Sequence, residues 1–377
     1  MRFPLPKPVI YILETLEKAG FSAYCVGGCV RDLLLFKSPF DYDITTSAKP
    51  DQIKALFENT VDTGLKHGTV TVIIEHTPYE VTTFRADGEY KDHRKPNTVD
   101  FVDNINEDLS RRDFTINAMA YNMPDGLVDI FSGENDIKEK ILRAVGEPKK
   151  RFNEDALRIL RLFRFSSTLN FSIEQNTLSA AIECANELES ISRERIASEL
   201  FKILLSDYPN NSLPLFNNGS LKFLGINKAN FCNFSSLPSE RFIRFAAFCK
   251  NSGCDSVKLC EELKLDNELK RYCNNITGVF NNLPNSCAEI KTSMRDFSEK
   301  ATEDALLLCG KDFSKVNEII TSSEPYLISH LKVNGEDLLK LGLSGTEIGK
   351  TLKELSNAVI NNPSLNNKDA LLSILKN

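Results

Sequence analysis

The chain has 377 residues, 41% of them hydrophobic and 26% charged, with a net charge of −6. That length exceeds what one compact core organises, so two to four domains are expected, and the acidic balance excludes a chain that is basic throughout, so any nucleic-acid contact needs a local basic face. No run approaches a membrane span, Met1 to Pro8 lacks the apolar stretch of a signal peptide, and the ten cysteines, without paired Cys-x-x-Cys spacing, read as reduced cytosolic thiols rather than a zinc site or disulfide framework.

Apolar residues from Lys7 to Ala19 (Val9, Ile10, Ile12, Leu13, Leu16) recur at helical spacing and stop at Gly20. Ala23 to Val26 reads as a strand, Gly27-Gly28 as a tight turn and Val30 to Phe36 as a helix. Asp41-Tyr42-Asp43-Ile44 reads as the next strand, and Pro50 to Asn59 as a helix opened by its proline. Strands are predicted at Val61–Thr63, Gly68–Ile74 and Tyr79–Phe84, which gives a small mixed sheet flanked by helices. Arg85 to Leu109 is polar, and a loop of that length inside a domain is usually functional or disordered. From Gly146 onward helical patterns dominate and no strand is expected, with breaks near Asp207–Asn211, Asn217–Gly219, Ser235–Ser239, Asn281–Asn285 and Ser322–Pro325. Gly345–Leu355 and Lys368–Leu375 read as two short amphipathic helices.

The segment Val26-Gly27-Gly28-Cys29-Val30-Arg31-Asp32 joins a strand to a helix start. Glycine lets a ligand approach the backbone closely, and a helix N-terminus offers unpaired N–H groups to phosphate. Asp41 and Asp43 alternate along the following strand, so both carboxylates share one face. Two carboxylates beside a phosphate cradle suit Mg²⁺ bound to a nucleoside triphosphate. Each half alone is weak: a Gly-Gly pair is usually only a turn, and an Asp-x-Asp is usually a solvated strand end.

In this order and spacing the segments resemble the head of the DNA polymerase beta superfamily of nucleotidyltransferases, and within it the class II (bacterial and eukaryotic) tRNA nucleotidyltransferases, the CCA-adding enzymes. Four further segments carry the resemblance: Glu80–Arg85, Arg111–Ala120 (Arg-Arg-Asp-Phe-Thr-Ile-Asn-Ala-Met-Ala), Glu154–Arg158 and Ser192–Ile196. It is dense from Tyr24 to Leu205 and thin beyond. It implies an α+β fold, a small mixed-sheet catalytic head (1–145) followed by an all-helical neck that recognises the base (146–210), a body (211–300) and a tRNA-binding tail (301–377).

The resemblance makes Asp41 and Asp43 the Mg²⁺ ligands and catalytic residues, with Glu80 a third carboxylate; an outward polar residue is the plain alternative for Glu80. Gly28 and Arg31 match the triphosphate contacts, although Arg31 also has Asp32 as an everyday partner. Arg111 or Arg112 is expected at the ribose or phosphates, the two not being distinguished. Asp87–Pro96 looks like the flexible loop of enzymes that add all of CCA.

Asp155 and Arg158 are expected three apart on one helix, hence neighbours on one face. A carboxylate accepts and a guanidinium only donates. Such a pair matches the amino donor and ring-nitrogen acceptor of cytosine and adenine and mismatches guanine and uracil, leaving buried groups unpaired at a cost of about 1–3 kcal/mol. An ordinary surface ion pair, worth a few tenths of a kcal/mol, is the plain reading. Arg161 and Arg164 continue the stripe and are expected around the nucleotide. Ser192 to Ile196 is expected as scaffold, with Ser192 as N-cap. A basic face for RNA would draw on Lys149, Lys150, Arg151, Arg161, Arg164, Arg193, Arg195 and Lys202.

The expected activity is template-independent addition of CCA to the 3′ end of tRNA from CTP and ATP. The partners are the tRNA acceptor end and top half and the two nucleotides, with no membrane and a cytoplasmic location. A CC-adding or A-adding enzyme, a bacterial poly(A) polymerase sharing this head, and an RNA-binding protein with an inactive head remain as alternatives. The sequence carries no His-Asp doublet of a phosphohydrolase domain, and it leaves the oligomeric state open.

Overall fold

A computed structural model describes residues 3–87 and 99–375. By internal contacts the chain divides after Ser235 into two compact units.

In the first unit, helix α1 (Lys7–Lys18) buries Val9, Ile12, Leu13 and Leu16, the apolar face of its sequence. Strand β1 (Ala23–Val26) is buried along its whole length. A short helix α2 (Gly28–Leu34), β2 (Ile44–Thr46), α3 (Pro50–Leu56), β3 (Thr60–Gly64), β4 (Thr69–Ile74) and β5 (Thr77–Thr83) follow. After the small hairpin of β6 (Arg85–Asp87) and β7 (Val99–Phe101) come α4 (Ile105–Ser110), β8 (Ala120–Asn122) and β9 (Gly126–Val128). Seven of these strands make one sheet in the order β3-β4-β5-β2-β1-β8-β9. Only β2 and β5 run parallel; the other pairs are antiparallel.

That mixed topology places the chemistry. β1 lies between β2 and β8, so the turn after β1 emerges beside the chain entering β2. The Val26 N–H donates to the Asp43 carbonyl at 3.0 Å, extending the β1–β2 ladder one step beyond Ile44. Ile44 is in register with Val81, which sets Asp43 beside Glu80. Tyr24, Val26, Phe84, Leu109 and Ala120 form a core cluster of the head.

The rest of the unit is helical: α5 (Gly133–Glu139), α6 (Pro148–Glu154), α7 (Leu157–Leu169), α8 (Gln175–Glu183), α9 (Arg193–Leu204) and α10 (Leu213–Asn217). Two-residue strands β10 (Ile141–Leu142) and β11 (Ser172–Ile173) pair in parallel. The second unit contains α11 (Arg241–Ser252), α12 (Ser256–Glu262), α13 (Asn267–Asn281), α14 (Cys287–Asp296), α15 (Glu299–Leu308), α16 (Ser314–Ser322), α17 (Gly335–Lys340), α18 (Thr346–Asn361) and α19 (Lys368–Ile374). Its helices start on side-chain caps such as Asp255, Asp266, Ser298 and Asn367, and Ser286 with Glu289 closes a capping box on α14. Its apolar clusters include one around Met294, Ile319 and Ile360 and one around Leu338, Leu355 and Leu371.

The α+β class, strands β1, β3, β4 and β5 and the helix breaks agree with the sequence reading, which does not foresee β8 and β9. Four expectations need correction. Asp41 and Asp43 precede β2 rather than lie within it. The stretch from Arg85 to Leu109 is not wholly loop, because β6, β7 and most of α4 lie in it. Strand β11 occurs beyond Gly146, too short to leave a period-2 pattern. Most important for function, the helix expected through Asp155 is broken there. Asp155 is extended (φ −142°, ψ 103°), closing α6 before α7 begins.

Candidate nucleotide and metal site

The site is built from the β1 turn upward. Gly27 has φ +77°, a left-handed value that strains any residue with a side chain. Its N–H is committed to the Met119 carbonyl at 3.1 Å, which fixes the turn against the chain entering β8. Gly28 is the first residue of α2, where N–H groups have no partner in the preceding turn. A Cβ on Gly28 would stand 3.7 Å from Nη2 of Arg31, so cradle and guanidinium lie together. Arg31 donates from Nε and Nη2 to Asp32 (2.9 and 2.8 Å) and from Nη1 to Asn117 (2.8 Å). The everyday partner of Arg31 is therefore present, with Asn117 as a second.

Asp41, Asp43 and Glu80 are all exposed. Loss of water pushes the Asp43 carboxyl above the usual carboxylate range; Asp41 adds to that, Arg112 opposes it and Glu80 adds again. Asp43 is open to solvent on one side, so this is partial desolvation in a crowded field and not enclosure. Among the described residues no three His, Cys, Asp or Glu side chains already converge as a preformed cage for a metal ion. The fit to a divalent cation rests on chemistry instead. The donors are hard carboxylate oxygens of the kind Mg²⁺ takes in ones and twos, leaving its other positions to water and phosphate. The negative crowding that disfavours ionised Asp43 is what a cation relieves.

Arg111 and Arg112 do different things. Both donate to Asp108, whose carboxylate is completely buried at the end of α4: Arg111 through Nε and Nη2 to Oδ1 (3.0 and 2.8 Å), Arg112 through Nη2 to Oδ2 (3.0 Å). A Cβ on Gly27 would meet Nη1 of Arg112 at 3.0 Å, and Arg112 is the arginine whose charge reaches Asp43. Arg112 thus stands between the glycine turn and the carboxylates. Arg111 offers its backbone carbonyl to Nη2 of Arg158 at 2.9 Å.

Asp155 and Arg158 are each braced by their surroundings. Asp155 Oδ1 accepts the Leu157 N–H (3.1 Å) and Oδ2 accepts Nη2 of Arg195 (2.8 Å). Arg158 is buried and donates from Nη1 to Glu154 (2.7 Å) and the Arg151 carbonyl (3.1 Å). Arg195 therefore gives the Ser192–Ile196 segment a direct hold on Asp155. Ser192 is at the N-cap position as expected, although its side chain makes no capping hydrogen bond.

Arg161 and Arg164 extend from α7. Arg161 donates from Nε to Asp113 at 2.8 Å. Burial alone would raise the Asp113 carboxyl, but Arg161, Asn117 and Arg158 outweigh it and hold it at about 2. Arg164 approaches Glu199 at 2.7 Å, off the hydrogen-bond direction; burial lowers its pKa. The guanidinium carbons of Arg31, Arg161 and Arg164 lie 5.3, 5.4 and 3.8 Å from the ring centre of Phe165. One buried ring thus gathers an arginine from α2 and two from α7.

Glycine turn, carboxylates and arginines so come from one unit, but Asp41 and Asp43 lie just before β2 rather than along it and Asp155 lies outside the helix that carries Arg158. Sequence reasoning missed Asp108, Glu154 as the brace of Arg158, and the arginine contacts of Phe165, a residue its helical spacing gives only as packing. Asp108 was findable: it lies three and four residues before Arg111 and Arg112, the spacing of helix neighbours. The proposed loop residues 88–96 lie outside the described residues.

Residues 23–143 match the family described as Poly A polymerase head domain, and residues 170–218 the family described as Probable RNA and SrmB- binding site of polymerase A. The chain is 39% identical to the CCA-adding enzyme of Streptococcus gordonii, over 97% of this chain and 96% of that one. It is 35% identical to that of Leuconostoc mesenteroides subsp. mesenteroides, over 97% and 94%. Among solved structures it resembles the Bacillus stearothermophilus CCA-adding enzyme in complex with CTP, with TM-score 0.82 and 30% identity over 99% of this chain and 98% of that one. The Thermotoga maritima CCA-adding enzyme complexed with tRNA shares the fold at TM-score 0.70 and 22% identity, over 100% and 96%.

Proposed function

The chain belongs to the CCA-adding enzymes, and from that premise we propose which of its residues carry each part of the reaction. The enzyme adds CCA to the 3′ end of tRNA with no nucleic-acid template, using CTP and ATP and releasing pyrophosphate. Its partners are tRNA and the two nucleotides.

A divalent cation, which we assign as Mg²⁺, would be held by Asp41 and Asp43 with Glu80 beside them. When bound, it would supply a lowered pKa for the RNA 3′ hydroxyl and neutralise charge on the departing pyrophosphate. The first N–H groups of α2, led by Gly28, receive triphosphate oxygens, and Arg31 and Arg112 add guanidinium forks. Arg112 is the better candidate of its pair because it reaches both Gly27 and Asp43. Arg111 serves through its carbonyl, which orients Arg158.

Asp155 and Arg158 read the base. A carboxylate has about four acceptor positions, so Asp155 can accept a base amino group while keeping Leu157 and Arg195. Arg158 donates to the ring nitrogen next to that amino group. Cytosine and adenine satisfy both; uracil and guanine set an acceptor against the carboxylate. Arg161 and Arg164 border the nucleotide. We assign the loop spanning residues 87–96 to the switch from C to A addition. The finer division into head, neck, body and tail is also part of this proposal, the tail and body binding the tRNA by shape and backbone. We place the work in the cytoplasm, where tRNA and free nucleotides meet.

The observation that carries this reading is the convergence of Gly27, Arg112, Asp43 and Glu80 at one end of the central strands. The test is incubation with tRNA lacking CCA, CA or A, with each nucleotide alone and with CTP plus ATP. C, C and then A should be added in order. Incorporation confined to CC or to A would identify a partial enzyme, a long A tract a poly(A) polymerase, and no incorporation an inactive head.

A further inference from the structure

We propose that Asp108 is the positioning residue that sets the nucleotide-facing arginines, and that it joins the triphosphate end of the site to the base-reading end. The inference deepens the nucleotidyltransferase reading above and rests on it.

Asp108 touches no substrate position itself. It is the last acidic residue of a one-and-a-half-turn helix and is 0% exposed. A buried carboxylate is costly unless every oxygen is engaged, and here both are. Oδ1 accepts two bonds from Arg111 and the Arg85 N–H at 3.3 Å; Oδ2 accepts Arg112. Burial pulls its pKa upward, but Arg112 and Arg111 outweigh that, so the group is an anion in the fold.

Each bond leads somewhere functional. Arg112 packs against Gly27, and its positive charge is felt at Asp43. Its Nε is buried without a hydrogen-bond partner, so its placement depends on Nη2 being held by Asp108. Arg111, once fixed, presents its carbonyl to Arg158. Arg85 opens β6, which pairs with β7. A single anion therefore fixes an arginine near the carboxylates, the backbone under the base reader and the start of the β6–β7 pair. Two adjacent arginines repel each other, and a bidentate anion between them is what keeps both in one geometry.

Asp108→Asn tests this. The amide keeps size and shape but turns a donor toward a guanidinium. The expected result is a folded protein whose kcat/KM for CTP and ATP falls at least tenfold while KM for the tRNA primer stays within twofold, and whose preference for CTP over UTP narrows. Asp108→Glu restores the charge and should recover part of the nucleotide kinetics. A general structural weakness would lower all substrates in proportion to the folded fraction and leave the CTP/UTP ratio unmoved, which would overturn the proposal. So would a folded Asn variant with unchanged nucleotide kinetics. Should the Asn variant not fold, the folded Glu variant decides: unchanged KM and kcat for both nucleotides refute the role, and a shift confined to them supports it. If the unaltered protein incorporates nothing, the functional reading fails rather than this one.

Discussion

Asp155 and Arg158 sit three residues apart yet turn to different supports, the carboxylate to Arg195 and the guanidinium to Glu154 and the Arg111 carbonyl. The break between α6 and α7 makes this possible, because Asp155 belongs to neither helix. On the base-reading role proposed for Asp155, base choice is vulnerable at Arg195, a residue that touches no base. Arg195→Ala should lower the ratio of CTP to UTP incorporation by about tenfold, the loss of one charge-assisted hydrogen bond of roughly 1.5 kcal/mol. Overall turnover with CTP should fall much less. Competition between labelled CTP and UTP measures it; an unchanged ratio would remove Arg195 from the account.

Loss of water, with Asp41 and Glu80 adding to it against Arg112, disfavours the ionised form of Asp43. The sign for stability follows. Its folded pKa lies above the unfolded value, so the folded state holds the proton more tightly over that interval, and stability declines as pH rises through it. Asp43→Asn should then abolish incorporation and raise the melting temperature at pH 7, with no gain in acid below the unfolded carboxylate range. Added MgCl₂ at constant ionic strength should stabilise the parent protein and leave the Asn variant nearly unmoved. A variant that melts lower at pH 7 contradicts the argument.

Asp113 behaves in the opposite sense. Arg161 and its neighbours hold it at about 2 although it is buried. A depressed carboxyl contributes stability that is full above the unfolded pKa and disappears as pH falls through the folded one. The contribution is on the order of 2 kcal/mol. Asp113→Asn should cost about that at pH 7, and the difference from the parent should shrink between about pH 4 and pH 2. Urea titrations across that range would show it.

Gly27→Ala combines two faults. The backbone is at φ +77°, and the new methyl group would press on Arg112 Nη1 at 3.0 Å. Strain of this kind costs more than about 1 kcal/mol. The distinctive result is a rise in KM for CTP and ATP, because Arg112 is displaced from the turn. Gly126→Ala, also at positive φ (+76°) but with open space around it, should lose similar stability and keep its nucleotide KM.

The head was legible because its signals are local. Glycines that need a special backbone and a four-residue apolar strand each announce a piece of structure, and β2 and β5 then bring Asp43, just before β2, to Glu80. What stayed hidden depended on partners far along the chain. Arg195 lies 40 residues from Asp155 and Arg161 48 residues from Asp113, and no periodicity encodes such pairings. The break at Asp155 was invisible for another reason: Ala156 and Leu157 are good helix formers, and the interruption is stabilised by the Asp155 side chain accepting the Leu157 N–H. Strand β11 is too short for alternation to show.

Phe165 has an implication for how this enzyme tolerates change. Three positive charges share its ring, one carried by the glycine-turn helix and two by α7. A substitution there would loosen α2 and α7 together where their arginines meet, so natural variation at this aromatic should be accompanied by compensating replacements at Arg31 or Arg164. Engineers who want altered nucleotide choice would do better to leave the ring untouched and to work outward from it.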